Sequence, residues 1–533
     1  MSRAAHRRRP WLRLAEPDWR RGLTRARALR NSPLSHLLTS MSELEAHPPP
    51  LQSPLQNTAL PREKEPDPAD LEKYRKWWEE RKLRKLRGQY ESALVQLSEL
   101  VNNNLSTPLH IASVRVRGAV RTRDSFLASI IDPVLQIPDE NGATLESVLR
   151  KTKKIKNLLE ETDLFNQVEV VIDRSRDALA HPEDVDVVFM TREKGRYFLN
   201  TSTQVGNNEG GASATARVRN AFGGAETFEA NVAFATKTRM SFNASLSAPL
   251  SSDLKTRGEV ALFGMERDNS SFASSFEGIR GLRAVVRNGA LDRGAHEVGY
   301  EAVLRHIGNL SPSASISIRE AAGQSIKSSV YHSWTRDTRD DKLLGTRGSY
   351  SKFFQEFAGL GGDASFYKTE AHGQFARSLL PGLTVSFAAR TGLLWNMGSK
   401  SYFSDRFQLG GPVSVRMFRM NGMGPHDGVD SLGGSMYWST GVSLISNIPR
   451  KPQWPVKAHL WVNAGRLDNV DKSRPLMDSV LASISKPSIS AGVGLVYKLD
   501  PVRVELNFGV PLVASKSDGT RKGFQVGIGV DFL

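Results

Sequence analysis

The chain of 533 residues has no cysteine, so disulfides, thiolate metal sites and cysteine nucleophiles are excluded. Long apolar runs are missing too. A membrane-crossing helix needs about 20 consecutive apolar residues, and Arg, Asp, Asn, Ser or Gly interrupts every apolar stretch here; helical spanning is therefore excluded. The other backbone solution in lipid is a closed β-barrel, whose strands alternate apolar and polar residues and signal weakly segment by segment. A hydrophobic content of 39% and a negative mean hydropathy suit a soluble protein and a barrel equally, so periodicity has to decide. The basic run Arg7 to Arg9 leads into no apolar core of about 7–15 residues such as a secretory signal carries, which disfavours bacterial export. Catalytic constellations are equally scarce. The 11 histidines are scattered, and no His/Glu spacing suggests a metal. Gly359 to Gly362 and Gly410-Gly411 lack the strand-to-helix setting of a phosphate loop. Neither an enzyme nor a bound metal or cofactor is expected.

Positive charge is plentiful but unevenly spread. The net charge is +16, and residues 1–40 hold ten Arg, no Lys and only two acids, Glu16 and Asp18. Such an opening resembles a mitochondrial transit peptide, or a basic arm for nucleic acid or anionic lipid; a start at Met41 would remove it. Residues 42–68 are polar and rich in proline (Pro48, Pro49, Pro50, Pro54, Pro61, Pro66, Pro68), so 1–69 reads as a disordered tail. From 70 to 104 Leu71, Tyr74, Trp77, Trp78, Leu83, Leu86, Tyr90, Leu94 and Leu97 recur at three- and four-residue steps, which predicts an amphipathic helix. Two fates stay open for it: packing on its own domain, or docking on a partner or a membrane surface.

Residues 108–194 read as strand, helix, helix, strand, strand. Ile111 to Val116 alternate; Phe126, Ile130 and Ile131 mark a short helix that Pro133 is expected to end; Leu145, Val148, Leu149, Ile155, Leu158 and Leu159 give a longer one. Val168 to Ile172 and Val185 to Met190 complete a small α+β domain. From about Gly195 to Leu533 the text turns into strand-length segments separated by Gly, Asn, Asp, Ser and Pro. Phe228, Val232 and Phe234, then Phe242, Ala244 and Leu246 across Lys237-Thr238, predict a hairpin. Val502, Val504, Leu506, Phe508, Val510 and Leu512 interleave with Arg503, Glu505, Asn507 and Gly509. Phe524, Val526, Ile528, Val530 and Phe532 repeat the pattern against Gln525, Gly527, Gly529 and Asp531. Alternation alone fits a sandwich as well. A repeat this long with almost no helix, and polar faces of Asn, Ser, Gly and Glu, favour a barrel with a wet interior.

Short motifs give that barrel a family. Val415-Arg416-Met417-Phe418, inside LGGPVSVRMFRMNGMGP, resembles the V-R-G-F lid-loop motif of the outer-membrane barrel-assembly superfamily that includes bacterial BamA. Asp337-Thr338-Arg339-Asp340 with Gly348 downstream resembles its D-x-R-D segment, Trp461-x-Asn463-x-Gly465 resembles its F-x-D-x-G strand, and residues 108–194 resemble a POTRA domain. One POTRA and no secretory signal point to the mitochondrial branch, the core barrel of the sorting and assembly machinery (SAM). The resemblance implies a mainly β fold: a transmembrane antiparallel β-barrel of about 16 strands over 195–533, preceded by one POTRA domain and an N-terminal helix. Sixteen strands leave roughly 21 residues for each strand and its connection, room for a tilted spanning strand of about 9–11. Three positions depart from the family: Met417 replaces Gly, Asn463 replaces an acid, and Gly345 stands where Pro is common.

That resemblance also implies a function and its residues. The protein would fold and insert β-barrel precursors in the mitochondrial outer membrane, with the POTRA domain in the intermembrane space. Its partners would be accessory SAM subunits, unfolded precursors and outer-membrane lipid, and not nucleic acid. Arg416 would hold the lid through Asn463, a neutral acceptor in place of an ion pair, or through nearby acceptors. Asp337, Arg339 and Asp340 would form an inner network, or else a solvated charge run. Precursors would enter at a lateral seam between the first strand (Tyr197, Leu199, Thr201, Thr203) and the last (Gly523, Gln525, Gly527). Arg521, Gly523, Val526 and Ile528 fit the β-signal of mitochondrial barrel proteins. Rival readings are a protein-conducting pore of the same superfamily, a passive channel, and a soluble β-rich binding protein.

Overall fold

The computed structural model describes residues 68–533 except 139–141, 178–179, 207–208, 237, 399–400, 452, 472, 474, 501 and 530–531. The tail expected over 1–69 lies almost wholly outside that range. Contacts divide the chain into two compact units. The first gathers the residues up to Ala119 with Val134–Asn157 and Gln167–Arg192; the second takes Val120–Pro133, Leu158–Asn166 and Glu193–Leu533.

Helix α1 runs over Pro68–Asn103, and its apolar residues do not share one stripe. Tyr74, Trp77 and Trp78 form one group. A step of five residues to Leu83 then rotates the pattern by about 140°. Strands β1 (His110–Arg117), β2 (Phe165–Arg174) and β3 (Asp184–Glu193) form a three-stranded sheet in the order β1-β3-β2, with β1 and β3 parallel. Helices α2 (Asp124–Leu135) and α3 (Leu145–Glu161) lie between β1 and β2 in sequence. Pro133 does not end α2, contrary to expectation, for the helix continues to Leu135. Proline removes one amide donor near the end, while Leu127, Ile130, Ile131 and Val134 are all buried on one face, and burial outweighs the missing hydrogen bond.

Sixteen antiparallel strands follow in sequence order, each paired with the next. They are β4 (Tyr197–Gly206), β5 (Glu209–Arg219), β6 (Thr227–Ala235), β7 (Thr238–Pro249), β8 (Thr256–Asp268), β9 (Phe276–Ala290), β10 (Gly294–Gly308) and β11 (Gly323–Asp337). The second half comprises β12 (Arg347–Gly362), β13 (Phe366–Leu380), β14 (Leu383–Asn396), β17 (Met436–Asn447), β18 (Val456–Asp468), β19 (Ser488–Leu499), β20 (Val502–Val513) and β21 (Gly523–Gly529). Between β14 and β17 a long connection carries a two-residue pair, β15 (His426–Asp427) and β16 (Asp430–Ser431).

The two faces of this sheet decide what surrounds it. On β20, Glu505 and Asn507 are 0% exposed while Phe508 between the next pair is 61% exposed. Charges inside and bare Phe, Leu and Val outside suit a barrel whose outer face meets hydrocarbon. The expected alternation in β21 holds from Phe524 to Gly529 and then breaks. Phe532, expected on the outer face, is buried, with its ring 4.9 Å from the Arg503 guanidinium and 5.9 Å from that of Arg416. Cation–π attraction draws the ring inward, and a Cβ on inward-facing Gly527 would stand 3.1 Å from it.

The edge strands β4 and β21 approach to within 8 Å between Cα atoms, yet among the described residues no hydrogen-bonded ladder joins them.

Candidate functional site

Inward-facing positions of β18 to β21 make a polar wall, and the connection between β14 and β17 lies against it. Arg416 sits at its centre, fully buried. Its Nε and Nη2 donate to the two carboxylate oxygens of Glu505 at 2.9 and 3.1 Å, and its Nη1 donates to Asn463 Oδ1 and to the Leu533 carbonyl, each at 2.9 Å. A buried guanidinium is costly unless its fork is engaged; these bonds engage four of its five N–H donors. Glu505 also accepts from Asn507 Nδ2 at 2.9 Å and pairs with Arg503. An ion pair therefore does hold Arg416, through Glu505 on β20, beside the neutral bond to Asn463 on β18. Glu505 was visible in the sequence only as one polar residue of an alternating strand, and what marked it was a charge on a face flanked by Gly and Asn.

Neighbouring lid residues reach the last strand. Met417 N donates to Gln525 Oε1 at 3.0 Å, and Gln525 Nε2 donates back to the Phe418 carbonyl at 3.1 Å. Phe418 bridges Thr520, Arg521 N donates to the Met417 carbonyl, and Ser490 Oγ donates to the Arg416 carbonyl at 2.7 Å. Val415, Met417 and Phe418 are fully buried. Met417, at the position where the family has glycine, holds φ = 65°, a left-handed conformation that costs an L-residue about 1–2 kcal/mol.

The same connection is tied at a second place. Asp405 Oδ1 accepts from Arg305 Nη1 on β10 at 2.6 Å, both side chains being buried. Asp430 and Asp427 accept from the Ser315 and Ser317 amides at 2.7 and 3.1 Å, where the short helix Ile316–Ala321 starts. None of these six residues carried a motif, so the sequence did not single them out.

Asp337 and Arg339 are brought together and Asp340 is not. Arg339 donates from Nε and Nη2 to Asp337 at 3.0 and 2.9 Å and from Nη1 to Gln374 Oε1 at 2.6 Å, and it stacks 4.7 Å over the Tyr350 ring. Asp340 instead accepts from the Thr346 amide and hydroxyl and the Arg347 amide, closing its own turn. Gly348 (φ = 102°) permits that turn, since a Cβ there would stand 2.3 Å from the Thr338 carbonyl oxygen. The turn also crosses the interior: Asp341 pairs with Lys498 on β19, and the Leu343 carbonyl accepts from Arg503 at 3.3 Å.

On the two end strands, Tyr197, Leu199, Thr201 and Thr203 of β4 are exposed, and Gln525 and Gly527 of β21 are buried. Val526 is exposed on the outer face, and Gly523 has φ = 93°.

The Omp85 superfamily domain model matches residues 220–532. The chain belongs to the Omp85 superfamily. Among curated Omp85 relatives, a SAM50-like protein of Schizosaccharomyces pombe is 36% identical, covering 83% of this chain and 95% of its own length. The sorting and assembly machinery component 50 homolog of Homo sapiens is 32% identical over 79% of this chain and 90% of its own. Among solved structures, BamA from Haemophilus ducreyi lacking POTRA domains 1–3 superposes with a TM-score of 0.66 at 17% identity, covering 78% of this chain and 84% of that one. The shared fold is the Omp85 barrel.

Proposed function

We propose that this Omp85 protein folds β-barrel precursors and inserts them into the mitochondrial outer membrane as the core of a sorting and assembly machine. The observation that carries this reading is the strand order: among the described residues β4 and β21 are the two end strands of the sheet and approach one another, and the connection bearing Arg416 reaches β21 through Gln525. Where two edge strands part, their amides and carbonyls can template a further strand, so a precursor adds by backbone pairing, as in β-augmentation. SAM50 relatives aligned over at least 90% of their own length support the assignment. Tyr197 to Thr203 and Gly523 to Gly527 are the gate strands in this reading, and residues 108–194 act as a POTRA domain in the intermembrane space that meets precursors or accessory subunits. Arg521, Gly523, Val526 and Ile528 mark the chain as a client of its own machine. No cofactor or nucleotide is required, because strand pairing and apolar burial run downhill.

Depletion of the protein in cells separates this reading from a conducting pore. New porin-type barrels should fail to assemble, whereas a pore would lose polypeptide transport and leave barrel assembly intact. The client role has its own test: a peptide of residues 520–533 should compete with barrel precursors, and indifference to it would remove that role.

A further inference from the structure

Helix α1 precedes in sequence the strands and the connection assigned to precursor insertion, and it bears an unusual surface. Among its described side chains, Tyr74, Trp77, Trp78, Arg81, Lys82 and Lys85 are all exposed, Trp77 and Trp78 by half. Two indoles left bare are costly in water unless something amphipathic receives them. With about 100° between successive residues, Tyr74, Trp77, Trp78, Arg81 and Lys85 fall within one arc of roughly 100°, and Glu72, Glu79 and Glu80 fall on the opposite half. Cations and rings are already adjacent, the Arg81 guanidinium 5.2 Å from the Trp77 ring and the Lys82 ammonium 5.5 Å from that of Trp78. Residues 72–87 hold eight Lys and Arg against three acids; Arg81, Arg84 and Lys85 lie on the half that bears the rings, and Arg75, Lys76 and Arg87 on the half that bears the acids.

We propose that this face of α1 docks on the headgroup layer of an anionic phospholipid bilayer. Trp and Tyr settle at the headgroup level, where the ring is buried and its polar edge stays wet. Lys and Arg beside them meet lipid phosphates, and the acids on the far half face water. An acidic protein groove would match the charge but has no need of paired Trp flanked by cations along one line. The step of about 140° between Trp78 and Leu83 confines the membrane contact to the arc of Tyr74, Trp77, Trp78, Arg81 and Lys85, which Gly88 extends by about one turn. Leu83, Leu86 and Leu97 are left on another side.

The absence of cysteine makes the test clean. Gly88 lies on the same face with nothing within 4 Å of a built Cβ, so Gly88→Cys in the full chain accepts one environment-sensitive dye. In proteoliposomes of phosphatidylcholine mixed with phosphatidylglycerol the dye emission should shift to the blue, and high salt should reverse the shift. In phosphatidylcholine alone it should not shift. Neutralising Arg81, Lys82 and Lys85 to Gln should weaken docking by about 10²-fold, from roughly fivefold per charge, and Trp77→Ser with Trp78→Ser should abolish it. Identical emission in both lipids, shielded or not, overturns the proposal, and so does a triple-Gln variant that docks like the parent.

Discussion

Arg416 and Met417 occupy adjacent positions and carry opposite kinds of cost. Removing the guanidinium by Arg416→Ala leaves Glu505 with one cation fewer in a fully buried site, and breaking a buried pair costs about 3–5 kcal/mol. Urea unfolding in lipid vesicles should register that loss, and protease should reach residues 409–425 sooner. Because Glu505 also pairs with buried Arg503, Glu505→Gln alone should cost more than Arg416→Ala, and the two losses should not add in the double variant; strictly additive losses would mean that the groups do not act as a unit. At Met417 the ordinary order of substitutions should invert. Alanine loses the buried thioether chain, about 2–5 kcal/mol, and keeps the left-handed strain. Glycine loses the same chain and relieves about 1–2 kcal/mol. Met417→Gly should therefore melt above Met417→Ala, whereas at most positions glycine is the worse choice.

At the scale of elements, the turn between β11 and β12 offers a pH signature. Partial burial pushes the Asp340 carboxyl up, but hydrogen bonds from the Thr346 hydroxyl and from the Arg347, Thr346 and Asp341 amides outweigh it and bring the pKa from 3.8 down to about 2. A depressed carboxylate stabilises the fold fully above its unfolded pKa, and the contribution fades as pH falls toward the folded one. Protection of the Thr346 and Arg347 amides should thus decline between about pH 4 and about pH 2. Asp340→Asn should show no such decline. How much of these elements the sequence disclosed follows from range. Alternation is local, so the strands and the inside and outside of β20 were legible from Val504 to Leu512, although Val502, expected outside, is buried. Glu505 as the partner of Arg416, 89 positions away, was not, because a strand's polar face does not say what crosses the interior to meet it. Phe532 fooled the period for the same reason: two guanidiniums distant in sequence turned it inward. Pro133 was misread because a proline's local cost is plain while the burial of Ile131 and Val134 is tertiary.

For the molecule as a whole, the seam is the feature to restrain. Pairs of cysteines placed across 199–203 and 523–529, in a chain otherwise without them, should form disulfides that leave barrel abundance unchanged and stop precursor insertion until reduced. Insertion at the unlocked rate through a fully oxidised seam would require another route. Mechanically, a cylinder slit along its length is weak against being squeezed into an oval, because the slit no longer carries hoop tension. In the proposed lateral entry between β4 and β21, the connection between β14 and β17 works like a tie-bar in such a cylinder, fastened to β10 by Arg305 and Asp405 and to β20 beside the slit by Arg416 and Glu505. Its length sets how far the slit can spread before one fastening has to yield. A client that forces the slit wider loads both fastenings, so widening strains the far wall as well as the near one.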